Sequence, residues 1–327
     1  MKDIIMNNII SDMGKYINNY QLEKLKQVIN HYFYSIEVVN ESNNIKEINL
    51  DYNNLFLSSK KLEGCSSRTV EYYSKTVDDM LSQINKNIKL IDTNDIRNYL
   101  SNYQNIHNCS NVTIDNIRRI LSSFFSWLEN EDYILKSPIR RIHKIKTQVT
   151  VKETYSDEIL EKLRDGCHNI RDLAMIDFLS STGVRVGELV NLDISDIDFV
   201  NQSCIVLGKG NKEREVYFDA RAKLHLLKYL ESRKDNNSAL FVSLIKPYHR
   251  LNISGVEIRL RSLGKNLNIS KVHPHKFRRT LATRAIDKGM PIEQVQKLLG
   301  HTKIDTTMHY AMVSQTNVKV SHHKYIC

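Results

Sequence analysis

Residues 271–310 read KVHPHKFRRTLATRAIDKGMPIEQVQKLLGHTKIDTTMHY, and their punctuation organises the C-terminal half of the chain. Pro274 suits the first turn of a helix, where the N–H it lacks would have no helical acceptor, and Gly289 suits a helix end. Pro291 opens a second helix that stops at Gly300. The first helix carries His275 and Arg278 three residues apart, hence on one face. His301 follows the Gly300 break directly. Tyr310 comes nine residues later, in a short segment with Asp305 or Thr306 as the predicted N-cap. Leu281, Ala285, Val295, Leu298 and Leu299 supply the faces that these helices would bury. Three donor side chains and a phenol are thus delivered to neighbouring helix ends, without an acidic cluster to bind a metal. Such a set suits a phosphate held by cations while a phenol attacks it.

The residues upstream add to that set. A helix over 172–181 is apolar through Leu173, Met175, Ile176, Phe178 and Leu179, and Thr182-Gly183-Val184-Arg185-Val186-Gly187-Glu188-Leu189 then breaks and restarts it. Gly183 permits a left-handed helix end, so Arg185 projects from the break. By itself Arg185 reads as a surface ion pair with Glu188. Two β-rich runs, CIVLG from Cys204 and REVYF from Arg214, flank Lys209-Gly210-Asn211-Lys212 and predict a hairpin. Helices are expected near 219–233 and 252–266, the latter offering Ser254, Arg259, Arg261 and Lys265 to a polyanion.

The whole chain has 327 residues, enough for two ordinary cores with an appendage. Its 47 Lys and Arg outnumber 37 acidic residues, for a formal charge of +10 and a pI near 9.2. That balance favours a polyanionic partner, most simply nucleic acid. Five scattered cysteines form no Cys-x-x-Cys pair and read as reduced thiols, neither a disulfide framework nor a zinc site. With no membrane-length apolar run and a polar N-terminus, a soluble cytoplasmic protein is expected.

Residues 1–46 show helical spacing at Leu22, Leu25, Val28, Ile29 and Tyr32 and read as a helical appendage or a marginal helix. Residues 47–146 predict four helices. Leu50, Leu55, Phe56 and Leu57 mark the first. Ser66 or Ser67 caps the second, Asp92 or Thr93 begins the third, and the fourth runs over 113–129 with Phe124, Phe125 and Leu128 in its stripe. Trp127, the single tryptophan, reads as core or domain contact. Arg68, Lys75, Thr113, Asn116, Arg118 and Arg119 decorate the polar faces; alone such faces read as solvated surface, and these residues become candidate DNA-binding residues only with the family resemblance given below. Pro138 stops the last helix, and Arg140, Arg141 and Lys144 belong to a basic run without strong period, read either as a soluble tether or, by preference, as a segment that tracks a phosphate backbone before the linker 147–153. The second domain is expected over 154–327.

Taken together, His275-x-x-Arg278, the Leu-Leu-Gly-His of residues 298–301, Tyr310 nine residues on, Thr182-Gly183-x-Arg185 and Lys209 in Gly-Lys-Gly-Asn-Lys-Glu-Arg resemble the tyrosine recombinase (phage integrase) family in order and spacing. The Ser-Phe-Phe-Ser-Trp-Leu run and its helices are similar to that family's core-binding domain. The resemblance implies a mainly α chain: a helical core-binding (SAM-like) domain plus an α+β catalytic domain with a small β-hairpin sheet. It implies catalytic roles for Arg185, Lys209, His275, Arg278, His301 and Tyr310, with Glu188 orienting Arg185. Tyr310 would form a 3′-phosphotyrosyl link and free a 5′-hydroxyl, Lys209 would protonate the leaving oxygen, and no cofactor or metal would be needed. Double-stranded DNA is the implied partner, bound by four protomers on two duplexes, with a monomer or weak oligomer when free. Residues 311–327 would dock on an adjacent protomer or remain a frayed tail. The chain departs from the pattern at Arg279, where many relatives have His, and in lacking a His after Tyr310.

Two other classes compete. A topoisomerase of type IB shares the chemistry but works alone, and a silent DNA-binding regulator would have lost a catalytic group. Within the family the choice lies between a Xer-like resolvase and a mobile-element integrase.

Overall fold

The computed structural model describes the backbone of residues 2–40, 45–147, 153–208 and 213–311, with side chains except at 2–4, 32–40, 45–48, 306 and 309–311. The chain separates into two compact units, Met1–Val149 and Thr150–Cys327.

The first unit is helical: α1 (Lys2–Met13), α2 (Asn19–Asn40), α3 (Ile45–Leu62), α4 (Ser67–Ile84), α5 (Thr93–His107) and α6 (Asn111–Asn130). Short polar side chains start three of these helices by accepting otherwise orphaned N–H groups. Ser66 caps α4, Asp92 closes a capping box with Asp95 on α5, and Ser110 caps α6. The apolar stripe of α6 (Ile117, Leu121, Phe124, Phe125 and Leu128) forms the core with Phe56, Val77 and Ile96. Phe56 meets Phe124 edge-on at 5.1 Å and Trp127 at 5.7 Å, so the tryptophan is a core contact. Ile29 of α2 is buried, and α2 packs on the 3-10 turn Ile88–Leu90.

Two expectations for this unit change. Leu50 and Leu55 are exposed, because the inner face of α3 runs through Asn49, Asn53 and Phe56 instead. Asn49 earns its buried place by donating to the Lys86 carbonyl (2.8 Å) and accepting from the Ile88 N–H (2.9 Å). The basic run after Pro138 is no bare tether. Pro138–Arg141 forms a 3-10 turn with Ile139 buried, and Asp115 on α6 accepts from the Ile145 N–H at 3.1 Å. Arg140, Arg141 and Lys144 are thereby presented outward from a seated segment.

The second unit contains α7 (Asp157–Asp165), α8 (Ile170–Thr182), α9 (Val186–Asn191), β1 (Ile197–Asp198), β2 (Ser203–Leu207), β3 (Glu213–Tyr217), α10 (Ala220–Ser232), α11 (Ile253–Asn266), α12 (Pro274–Asp287), α13 (Ile292–Leu299) and α14 (Ile304–Ala311). Helix α8 is buried around most of its circumference and packs on α7, α10 and α12. Its two buried aspartates are compensated. Asp177 accepts from Arg164 Nε (2.5 Å) and contacts His225 Nδ1 (2.5 Å), while Asp172 pairs with Arg171 and Arg259. Arg259 is therefore a brace between α8 and α11, and Arg261 is the exposed one. The strands form an antiparallel sheet in the order β1-β2-β3, with Cys204 opposite Val216 and Leu207 opposite Glu213. Cys204, Val206 and Val216 face the core; Ile205, Leu207 and Tyr217 face outward, as a period of two requires. Helix α14 starts at Ile304, so Asp305 lies in its first turn beside the positive end of the helix. No helix among the described residues is long and apolar enough to cross a membrane.

Phe124→Ala is expected to lower the stability of the first unit by about 3–5 kcal/mol, the usual range for emptying an aromatic core position. Leu62→Ala, at a position 91 % exposed, should stay within about 0.5 kcal/mol. Denaturant unfolding followed by Trp127 fluorescence measures both; equal effects would contradict the assigned core.

Candidate active site

Helix α8 ends at Gly183, whose φ of +62° is a left-handed cap. A Cβ there would lie 2.7 Å from Leu281 Cδ2, so both the backbone angle and the close approach of α12 require glycine. The turn places Arg185 at the N-cap of α9, three residues before the buried Glu188. Glu188 accepts from the Arg185 backbone N–H and from Arg185 Nη1, both at 2.7 Å. Arg214 of β3 grips the same carboxylate with both Nη atoms at 2.8 and 2.7 Å. Burial pushes the Glu188 carboxyl upward, but the hydrogen bonds from Arg214 and Arg185 outweigh it and hold it below its ordinary range.

Helix α13 ends at Gly300 (φ +63°), and its last carbonyls are the acceptors that a helix leaves unpaired. Arginines from three other elements take three consecutive ones. Arg214 Nε donates to Leu298 O at 3.0 Å, Arg278 Nη2 to Leu299 O, and Arg185 Nη2 to Gly300 O at 3.1 Å. Arg278 is only 1 % exposed, and its Nη1 donates to Gly183 O at 2.7 Å, tying the ends of α8 and α13 together. Cations at a helix C-terminus also complement the helix dipole.

His301 follows this knot. Its Nδ1 lies 2.9 Å from Thr307 Oγ1, which fastens the ring to α14, the helix whose backbone includes Tyr310. Burial, then the charges of Arg278, Arg185, His275 and Arg214, lower its pKa to about 4. The ring is therefore neutral at neutral pH, a hydrogen-bonding group and no standing cation. His275 is exposed on α12, and with Arg185 and Arg278 it lines one groove that also contains His273, Arg261 and Glu257.

Arg185, His275, Arg278 and His301 are thus brought together. Lys209 lies outside the described residues, and of Tyr310 only the backbone is described. In the first unit, Arg118 and Arg119 line a cleft with Lys60, Ser122, Ser126 and Trp127. Arg68, Asn116, Arg140, Arg141 and Lys144 are exposed. Lys75 is exposed and ion-paired with Glu71, Arg118 is held by Asp115, and Thr113 is half-buried beside its cap Ser110. Of these candidates, Arg118 and Arg119 share that cleft. Arg214 went unsingled as a site residue because its sequence context shows only an alternating strand. Its spacing from Glu188 carries no periodic signal.

The sequence profile of the phage integrase family matches residues 150–317, and that of the phage integrase N-terminal SAM-like domain matches residues 53–135. The chain belongs to the phage integrase family. It is a tyrosine recombinase, an enzyme of site-specific DNA recombination. The tyrosine recombinase XerC of Staphylococcus aureus (strain JH9) is 31 % identical to it over 281 residues, 81 % of this chain and 92 % of that protein. Two solved structures share its fold at lower identity. The XerH site-specific recombinase bound to a palindromic difH substrate after cleavage is 18 % identical, with a TM-score of 0.66 over 97 % of this chain and 93 % of that one. The Tn1549 transposon integrase in complex with transposon right end DNA is 18 % identical, with a TM-score of 0.69 over 84 % of this chain and 99 % of that one. The recombinase thus has the mainly helical architecture, SAM-like first unit and small antiparallel sheet that its motifs implied.

Titration of the His301 ring by NMR in the free recombinase should give a midpoint near 4, well below the ordinary 6.5. Because the folded value is the lower one, the stability tied to the neutral ring is present above 6.5 and is lost as pH falls toward 4. Arg185→Gln should raise the midpoint, and a midpoint at the ordinary value would refute the packed environment.

Proposed function

We propose that the recombinase cuts one DNA strand by attack of Tyr310 on a phosphodiester, forming a 3′-phosphotyrosyl link and releasing a 5′-hydroxyl. The covalent link conserves the energy of the broken bond, so a 5′-hydroxyl from another strand can reverse the step without ATP. The observation that carries this reading is the groove in which Arg185, His275 and Arg278 meet beside His301. Guanidinium forks match the non-bridging oxygens of a phosphate, and fixed donors stabilise the charge that grows in the transition state. Neutral His301 donates a hydrogen bond there, and an arriving phosphate favours its protonation by opposing the arginine charges. His275, exposed at the groove, shares that contact or receives the phenolic proton. Lys209 is the general acid for the departing 5′-oxygen.

Double-stranded DNA is the partner in this reading, contacted by Arg68, Lys75, Thr113, Asn116, Arg118 and Arg119 on α4 and α6 and by Arg140, Arg141 and Lys144 on the seated basic segment. Four protomers act on two duplexes and exchange strands pairwise, starting from a monomer or weak oligomer, in the cytoplasm and without a cofactor. Residues 1–46 serve as an appendage to a core-binding domain over 47–146, and a linker at 147–153 leads to the catalytic domain over 154–327. Integration or excision of a mobile element and Xer-type resolution both use this chemistry. The DNA recovered covalently from the native host tells them apart.

Tyr310→Phe should retain DNA binding but give no covalent adduct with a nicked suicide duplex in denaturing electrophoresis, whereas Tyr325→Phe should form it normally. The reverse pattern would reassign the nucleophile, and binding without any adduct in the wild type would favour a silent regulator. Relaxation of supercoils by a monomer without partner exchange would favour a topoisomerase. Lys209→Ala should slow cleavage and be rescued by a 5′-bridging phosphorothiolate, whose sulfur departs without a proton. Affinity should fall steeply with salt, by roughly 0.9 counterions per phosphate neutralised.

A further inference from the structure

We infer that Arg214 is a positioning residue of the recombinase, locking the base of the lysine-bearing hairpin to Arg185 and to the helix end that precedes His301. The inference rests on the function proposed above and adds to it a residue whose guanidinium is engaged by Glu188 and Leu298.

Arg214 is the second residue of β3, the strand that follows Lys209 in the chain. Its side chain is 9 % exposed and that of Glu188 is 4 % exposed, so their bidentate pair is shielded from solvent. One guanidinium reaches three destinations. Both Nη atoms hold Glu188, Nε holds Leu298 O, and the side chain fills the space beside Gly300, where a Cβ would come within 2.8 Å of Arg214 Cδ. Glu188 passes the constraint to Arg185 through two further hydrogen bonds. Strand β3, the N-cap of α9 and the C-terminus of α13 are thereby fixed by a single planar fork. Lysine has one nitrogen and no fork, so it cannot reproduce all three contacts. The groups facing Glu188 and its partners are Arg185, Arg214, Arg278, His275, His301 and the Cys204 thiol of β2. Without Arg214 the buried carboxylate keeps only Arg185, and its affinity for a proton rises.

The test compares wild type with Arg214→Gln, Arg214→Lys, Glu188→Gln and the Gln/Gln double variant. The probe is a nicked suicide duplex carrying the DNA sequence recovered covalently with the wild-type protein. Binding affinity and adduct formation are followed from mildly acidic to mildly alkaline pH. Arg214→Gln should bind with affinity within about three-fold of wild type but form adduct about 100-fold more slowly, the scale of loss expected when reacting groups are misplaced by an ångström. Its rate should fall further as pH drops through the raised Glu188 value. That additional fall, beyond whatever acid dependence the wild type shows through His275, should be missing from the double variant and from Arg214→Lys, which restores the charge and recovers part of the rate. The double variant should be no slower than the worse single one. A wild-type rate in Arg214→Gln overturns the inference, as does a loss matched by an equal loss of affinity with no change in pH profile. If Arg214→Gln does not fold, Glu188→Gln and Arg214→Lys decide: wild-type rates in both overturn it. A wild-type protein that captures no DNA sinks the recombinase reading itself, a result distinct from capture with an indifferent Arg214.

Discussion

Three consecutive carbonyls at the end of α13 tie together the groove face of the second unit. A helix end leaves such oxygens unpaired, and burying them without donors costs on the order of 1–3 kcal/mol each. Here Arg214, Arg278 and Arg185 arrive from β3, α12 and the start of α9 to take Leu298, Leu299 and Gly300. Arginine suits the task because it stays charged at any accessible pH and presents five donors in a rigid plane. Arg185 and Arg278 also line the groove, and Arg214 supports it from behind, so a substitution among the three acts on the helix end and on the groove at once.

The frame behind those arginines is built around α8. An almost wholly buried helix gains its packing from apolar contacts, yet α8 also carries Asp172 and Asp177 in the interior. Removing one partner of such a pair leaves an uncompensated charge, which is strongly destabilising, so each aspartate dictates where its neighbours sit. Asp177 positions Arg164 and His225 from α7 and α10, and Asp172 positions Arg171 and the Arg259 of α11. With its flanks fixed, the C-terminal Gly183 turn delivers Arg185 and its own carbonyl to the same place in every molecule.

Much of this was legible from residue order. Proline and glycine bracket α12 and α13 where backbone geometry demands, and the spacing of His275, Arg278 and His301 follows from helix period and break. Apolar periodicity marked α4, α6 and α8 for the same reason. Other features depend on contacts that no local pattern encodes. The inner face of α3 is partly polar because Asn49 bridges to a distant 3-10 turn, so Leu50 and Leu55 drew attention to the wrong side. The basic segment after Pro138 looked like a tether because its anchor, Asp115, lies thirty residues away. Arg259 looked available to a ligand, but its partner Asp172 is 87 positions earlier in the chain. Arg214 was hidden by the same kind of separation.

Those separations have a consequence for the order in which the molecule forms. The Arg185–Gly300 contact spans 115 residues, Arg278–Gly183 spans 95 and Arg214–Leu298 spans 84. Each closes a long loop, and the chain entropy lost in doing so is recovered only when the surrounding core is already in place. Isolated early segments therefore hold the arginines but not their arrangement. A ribosome-bound chain that has not yet released residues 298–300 lacks the acceptors of this arginine knot, however much of its helical content has formed. Sequence distance thus delays the closing of the knot until the rest of its unit exists.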